Sequence, residues 1–197
     1  NIIKYKLYKH EGRIVMIYIN RVLKILFVIL ILFINISMNT YRECENNIKI
    51  IAHRGASKLE PENTIPSFER AATLGAWGAE CDIYVLKDGN IVIFHDQDIK
   101  RMTNGIGEIK NMTIIEVKAL RIDNGNNIDK YKDLKIHTFD EYLSCCAKNN
   151  LAPVIEFKEV TIEKVKEIID KIKEYNLEEN AVIISTSYKW IKYIREY

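Results

Sequence analysis

Residues 79–95 read Ala79-Glu80-Cys81-Asp82-Ile83-Tyr84-Val85-Leu86-Lys87-Asp88-Gly89-Asn90-Ile91-Val92-Ile93-Phe94-His95. Ala79 to Leu86 reads as a strand, Asp88-Gly89 is a hairpin signal, and Ile91 to Phe94 returns as the paired strand. The two-residue period of a strand places Glu80 and Asp82 on one face and sends Cys81 to the other. Two carboxylates facing one space need a cation. Because a hairpin reverses direction, His95-Asp96 comes back to the end of the sheet from which Glu80 and Asp82 started, so one mouth can hold all three.

Upstream, Ile48 to Ala52 is an apolar run that ends in His53-Arg54-Gly55. Pro61-Glu62-Asn63-Thr64 supplies a turn, with Thr64 as the N-cap of a helix through Ala76 that carries Ile65, Phe68, Ala71, Ala72 and Leu74 on a helical period. Gly75 and Gly78 close it. Downstream, Thr113 to Leu120 and Thr138 to Lys148 read as helices. Leu151 to Phe157 is an apolar strand interrupted by Glu156 and followed by Lys158, and a carboxylate inside such a run is costly unless paired or bound to metal. An amphipathic helix over Thr161 to Tyr175, a strand over Ala181 to Ser185 and a last helix ending at Tyr197 complete an α/β pattern with about five strands.

The 197 residues are 48% hydrophobic and 28% charged, which describes an ordinary globular chain with room for one domain. With 29 basic and 27 acidic side chains spread along the chain, there is no sustained basic stripe. Nucleic acid is therefore excluded as a partner, and a small molecule is expected. Cys44, Cys81, Cys145 and Cys146 have no paired CxxC spacing, which argues against structural zinc and against a disulfide framework. No feature sets an oligomeric state.

The first 21 residues form a basic segment in which Lys4, Lys6, Lys9, Arg13 and Arg21, followed by Lys24, precede a run from Ile25 to Ile34 that is apolar on every face. Residues 22–38 read as a signal peptide or a membrane anchor, with the absence of a clear A-x-A site favouring the anchor. Positive charge on the N-terminal side puts the remainder outside the cytoplasm, so the chain is expected to be membrane-anchored or secreted. Met16 is a candidate start.

The ordered elements His53-Arg54-Gly55, Pro61 to Thr64, Glu80 to Asp82, Lys87 to Gly89, His95-Asp96 and Glu156 to Lys158 resemble the glycerophosphodiester phosphodiesterase family in order and spacing, over roughly Ile48 to Tyr197. Singly each has a plainer reading: His53 and His95 as structural histidines, Glu80 with Asp82 as a solvated strand face, Glu156 with Lys158 as a surface pair. It is their joint occurrence that carries the resemblance.

The resemblance implies a TIM-type (β/α) barrel with its site at the C-terminal face, occupying residues 47–197. It puts metal ligands on Glu80, Asp82 and Glu156, an acid–base pair on His53 and His95, and phosphate-binding cations on Arg54 and Lys158. Three carboxylates suit a hard divalent cation, with calcium favoured over magnesium. The implied reaction is hydrolysis of a glycerophosphodiester to glycerol 3-phosphate and an alcohol. A lipid head-group phosphodiesterase of the phospholipase C or D kind, or an inactive membrane-anchored remnant, are the alternatives. Glu62 and Asn63 are left outside the set, Glu62 as an orienter of Arg54 and Asn63 as a holder of the turn, and His10 and His137 are read as structural. About five strands fall short of the eight of a full barrel, so the barrel is expected to be incomplete.

Overall fold

The computed structural model describes residues 22–35 and 48–196. The basic segment 1–21, with Met16 and His10, and the end of the expected anchor, 36–38, lie outside the described residues. The chain divides into two units, 1–48 and 49–197. In the first, residues 22–35 form helix α1. Its large apolar side chains are all at least 42% exposed. At about 1.5 Å per residue it is roughly 21 Å long against a hydrocarbon core of about 30 Å. No described helix is long and apolar enough to cross a membrane.

The second unit is an α/β domain. Its elements run β1 (Ile51–Ala52), α2 (Ile65–Thr73), β2 (Gly78–Val85), β3 (Ile91–Ile93), α3 (Ile114–Ala119), α4 (Phe139–Asn149), β4 (Ala152–Glu159), α5 (Ile162–Glu174), β5 (Val182–Ile184) and α6 (Tyr188–Glu196), with 3₁₀ turns at Ile99–Arg101, Ile109–Asn111 and Ile128–Lys130. The order β1-β2-β4-β5 is parallel, while β3 returns antiparallel on β2. Among the described residues β1 and β5 do not pair, so the sheet is open.

The expected strand over Ile48 to Ala52 contracts to two residues, because β1 bonds a neighbour on one side only; Ile50 still accepts from Trp77 and Gly78. The helix expected through Ala76 ends at Thr73, where Leu74 caps it and Gly75 turns at φ 80°. Its start is as the sequence indicates. Thr64 and Ser67 form a reciprocal capping box, each side chain taking the other's backbone N–H, at 3.4 and 3.3 Å. Thr113 with Glu116 and Thr138 with Glu141 start α3 and α4 in the same way.

Two cores flank the sheet. Cys81 and Ile83 of β2, with Ile155 and Phe157 of β4, are covered by Phe68 of α2, by Phe139, Tyr142 and Leu143 of α4 and by Val165 and Ile168 of α5. A second core joins Tyr84, Leu86, Val92 and Phe94 to Ile99, Met102, Ile109, Val117, Ile122 and Ile136. It makes residues 97–137 a packed subdomain, where the sequence pattern indicated one short helix.

A proline stands in the central strand β4, where it removes a ladder donor. Pro153 lies opposite Ala79. The Tyr142 hydroxyl, wholly buried, donates to Ala79 O at 2.6 Å and accepts from Val154 N–H at 3.0 Å, so both strands keep their hydrogen bonds beside it.

Candidate active site

The register of β2 creates the site. On one of its edges β1 pairs only with Gly78 and Ala79, and β3 pairs only with Ile83 to Val85. These two strands run in opposite directions and end facing each other, leaving Glu80, Cys81 and Asp82 between them. His53-Arg54 continues from the end of β1 and His95-Asp96 from the end of β3. Both histidines are thereby delivered to the same short stretch of β2. The mouth lies beside the middle of β2 and not at the end of the hairpin, because β3 is only three residues long.

Loop groups satisfy the exposed edge. Arg54 N–H donates to Glu80 Oε2 at 2.7 Å. Asn63 accepts from Asp82 N–H at 3.3 Å and donates through Nδ2 to Asp82 Oδ2 at 2.7 Å. Arg54 and Asn63 both have positive φ, 57° and 56°, a conformation that costs non-glycine residues energy and is held here by these bonds. Gly55, at φ 73°, packs so closely on Ser67 that a Cβ would come within 2.7 Å of that residue's backbone carbon.

On the other edge β4 pairs along the whole of β2, with Glu156 opposite Asp82. The register shifts after Phe157, which lies opposite Ile83 while Glu159 lies opposite Tyr84, leaving Lys158 as the extra residue. Such a bulge re-aims a side chain. The Lys158 ammonium lies 2.8 Å from Glu156 and 3.0 Å from Asp82 Oδ1. Burial lowers its pKa, but the two carboxylates outweigh this and carry it above the ordinary lysine value.

Glu80, Asp82 and Glu156 thus each bring an oxygen within 4.8 Å of the others. Asp82 is completely buried and Glu80 nearly so. Three carboxylates face the cations of Arg54, whose Nε is 3.5 Å from Asp82, and Lys158. Burial first, then the charges of Asp82 and Glu156, pushes Glu80 up to about 7. Glu80 Oε1 is buried without a hydrogen-bond donor, and Asp82 Oδ1, likewise buried, has the Lys158 ammonium 3.0 Å away. Hard oxygen donors, crowded negative charge and the orphaned Glu80 Oε1 fit a divalent cation.

The His53 imidazole is 69% exposed, with Nε2 4.0 Å from Glu80. The His95 Nδ1 lies 2.6 Å from Asp96 Oδ1. Asp96 is also held by Arg101, and burial is outweighed by Arg101 and His95 in keeping its pKa below the usual carboxylate range. Arg101 reaches across to Glu62, which also accepts from Arg54 at 3.1 Å. Sequence reading therefore missed Arg101 and the part played by Asp96, while it set Glu62 aside as an orienter of Arg54, a contact the structure contains, and Asn63 as a turn residue, which in addition holds Asp82. Asn63 and Glu62 lie inside a quoted motif, but only the folded loop brings them against Asp82 and Arg54.

The model of the glycerophosphoryl diester phosphodiesterase family matches residues 53–195. The chain belongs to this family. Its segment is 38% identical over 151 residues to a glycerophosphodiester phosphodiesterase of Caldanaerobacter subterraneus subsp. tengcongensis, covering 75% of this chain and 61% of the relative. Among solved structures it is similar to a glycerophosphodiester phosphodiesterase from Agrobacterium tumefaciens (TM-score 0.67, 26% identity, 75% of this chain and 62% of that one). It is also similar to an Oleispira antarctica phosphodiesterase in complex with the product sn-glycerol-3-phosphate (TM-score 0.62, 26% identity, 76% and 62%). The chain thus spans just over three fifths of the length of each of these three relatives, and its five-stranded sheet corresponds to part of the TIM-type barrel of the solved ones.

Proposed function

We propose that this protein hydrolyses glycerophosphodiesters to glycerol 3-phosphate and an alcohol. The observation that carries the reading is the gap in β2, where the ends of β1 and β3 bring His53 and His95 to a buried pair of carboxylates facing Glu156. Family membership and the product bound to the Oleispira relative support the substrate class.

In this mechanism Arg54 and Lys158 neutralise the non-bridging phosphate oxygens. One histidine takes the proton of the free glycerol hydroxyl as its oxygen bonds to phosphorus and the bond to the departing alcohol breaks. The other histidine gives that alcohol its proton. Water, losing a proton to the second histidine, then opens the cyclic phosphate, and the first histidine returns its proton to the released glycerol oxygen. With Nδ1–H donated to Asp96, the Nε2 of His95 is left to exchange the proton. Glu80, Asp82 and Glu156 would hold the divalent cation, calcium in preference to magnesium, and its charge would stabilise the electron-rich oxygens around phosphorus.

The test is incubation with glycerophosphocholine and assay of glycerol 3-phosphate and choline. Release is expected with calcium, less with magnesium, and none after chelation or in His53→Ala. No release with either metal would overturn the reading, and turnover of intact phosphatidylinositol or sphingomyelin instead would move the protein to a lipid head-group phosphodiesterase.

The charge asymmetry around Ile25 to Ile34 supports placement of the catalytic unit outside a membrane. Protease added to intact cells is expected to degrade it, and full protection would refute that placement.

A further inference from the structure

We propose that Arg101 is a positioning residue that braces both sides of the mouth at once, holding His95 through Asp96 and Arg54 through Glu62. The inference rests on the proposed roles of His95 and Arg54, although neither its geometry nor its first test depends on turnover.

The contacts form one chain from β3 to β2. His95 Nδ1 meets Asp96 Oδ1 at 2.6 Å, and the other Asp96 oxygen takes the Arg101 Nε–H. The two terminal nitrogens of Arg101 go to the two oxygens of Glu62. Glu62 then accepts from Arg54, whose Nε is 3.5 Å from Asp82. Only a planar fork can reach one carboxylate through Nε and a second through both terminal nitrogens; an ammonium is a single point of charge.

Arg101 is itself held from behind. It ends the 3₁₀ turn Ile99–Arg101, which Asp98 caps through Lys100 N–H at 2.8 Å. Buried Ile99 and Met102 anchor that turn in the second core. The Asn124 amide donates to Arg101 O at 2.8 Å, and the neighbouring Gly125 lies so close that a Cβ would be 3.0 Å from Pro61 Cα. The subdomain of residues 97–137 therefore presents Arg101 at a fixed place between two loops that strand pairing leaves free.

Fold stability does not account for this arrangement. The Arg101 side chain is 44% exposed, and ion pairs with an exposed member are screened and contribute little. What the fork does is set orientation. Asp96 anchored on its far oxygen can hold the His95 ring in one tautomer, and Glu62 anchored by Arg101 keeps the Arg54 guanidinium turned toward Asp82.

The experiment compares the full chain with Arg101→Met and Arg101→Lys. The first readout is the nitrogen-15 spectrum of the imidazoles without substrate, which reports the tautomer of each ring. Wild type is expected to show His95 protonated at Nδ1, and both variants a mixture of tautomers, with His137 unchanged as an internal control. The second readout is kinetic. Arg101→Met is expected to lose on the order of a hundredfold in kcat/KM through both parameters, the scale of loss when a reacting group is misplaced by about an ångström. Asp96→Asn should act mainly on kcat and Glu62→Gln mainly on KM.

Lysine should fail to rescue, since it restores charge without the fork. An unchanged His95 spectrum in Arg101→Met, or restoration of the wild-type spectrum by lysine, overturns the proposal. If the wild-type protein turns over no diester, the functional reading fails while the spectra still decide the brace. If Arg101→Met does not fold, the lysine variant decides it alone.

Discussion

The centre of the sheet and its β5 edge are built from similar sequence and end in different states. Val154 and Ile155 of β4 are fully buried, whereas every residue of β5 is at least partly exposed, although both stretches are apolar and lie next to an amphipathic helix. Their helices differ in the same way: α4 buries Phe139, Tyr142, Leu143, Cys145 and Cys146, while α6 only half-buries Trp190, Tyr193 and Ile194 and leaves Tyr188 79% exposed. Amphipathic pattern makes an element able to be buried. Burial itself needs neighbours on both sides, which β4 has in β2 and β5, whereas among the described residues β5 pairs with β4 alone.

The sharpest way to break the centre is Tyr142→Ala. It removes a wholly buried ring and leaves Ala79 O and Val154 N–H without their partner, so a loss of about 3–5 kcal/mol is expected, a large share of a typical net stability. Denaturant unfolding should show a molecule close to unfolded at growth temperature. Tyr142→Phe keeps the ring and removes only the hydroxyl. About 1–3 kcal/mol should be lost, and amide exchange should accelerate at Val154 in particular. A Phe variant as stable as wild type would mean that the ladder tolerates Pro153 unaided.

On the polar face of β2, Asp82→Asn removes one of the three carboxylates proposed to hold the cation. At least a tenfold loss of calcium affinity is expected by calorimetry, about 1.4 kcal/mol. Unchanged affinity would detach the cation from this trio.

Glu141, at the start of α4, has its pKa held well below the carboxylate value of 4.5: His137 first, then Lys118 and Thr138 N–H, outweigh burial. A group whose pKa is depressed on folding stabilises the fold above its unfolded value and loses that contribution as pH falls. Glu141→Gln keeps the capping-box acceptor and removes the charge, so it should cost about 0.3–1 kcal/mol near neutrality. The difference in Tm from wild type should shrink as pH drops below about 4.5, toward the acid-loaded state of both proteins. A difference that stays constant with pH would assign the effect to packing. At the edge, Ile184→Thr and Tyr188→Ser should each change stability by no more than about 0.5 kcal/mol. Losses as large as those of the central variants would mean that β5 and α6 are packed more tightly than their exposure indicates.

Legibility followed the range of the forces involved. Helix starts were readable because caps are local, as Thr64, Thr113 and Thr138 show. Glu80 and Asp82 were readable because a strand alternates, and Glu156 because a carboxylate in an apolar run needs a reason. The subdomain of residues 97–137 was not, since its short turns carry no period and are held by a core assembled from separated residues such as Leu86, Ile109 and Ile136. Arg101 was not, because its two partners lie 5 and 39 residues away.

The sequence by itself determined which groups are available: the alternating carboxylates, the two histidines after two strands, the capped helices and the motif order that marks the family. Only the tertiary structure decided where those groups meet. β1 and β3 stop short on one edge of β2, and residues 80–82 are left as a gap that the loops must complete. Strand ends are set by pairing with distant neighbours, and a pairing register depends on the whole sheet, so local residue preferences could supply the side chains of this site but not its location.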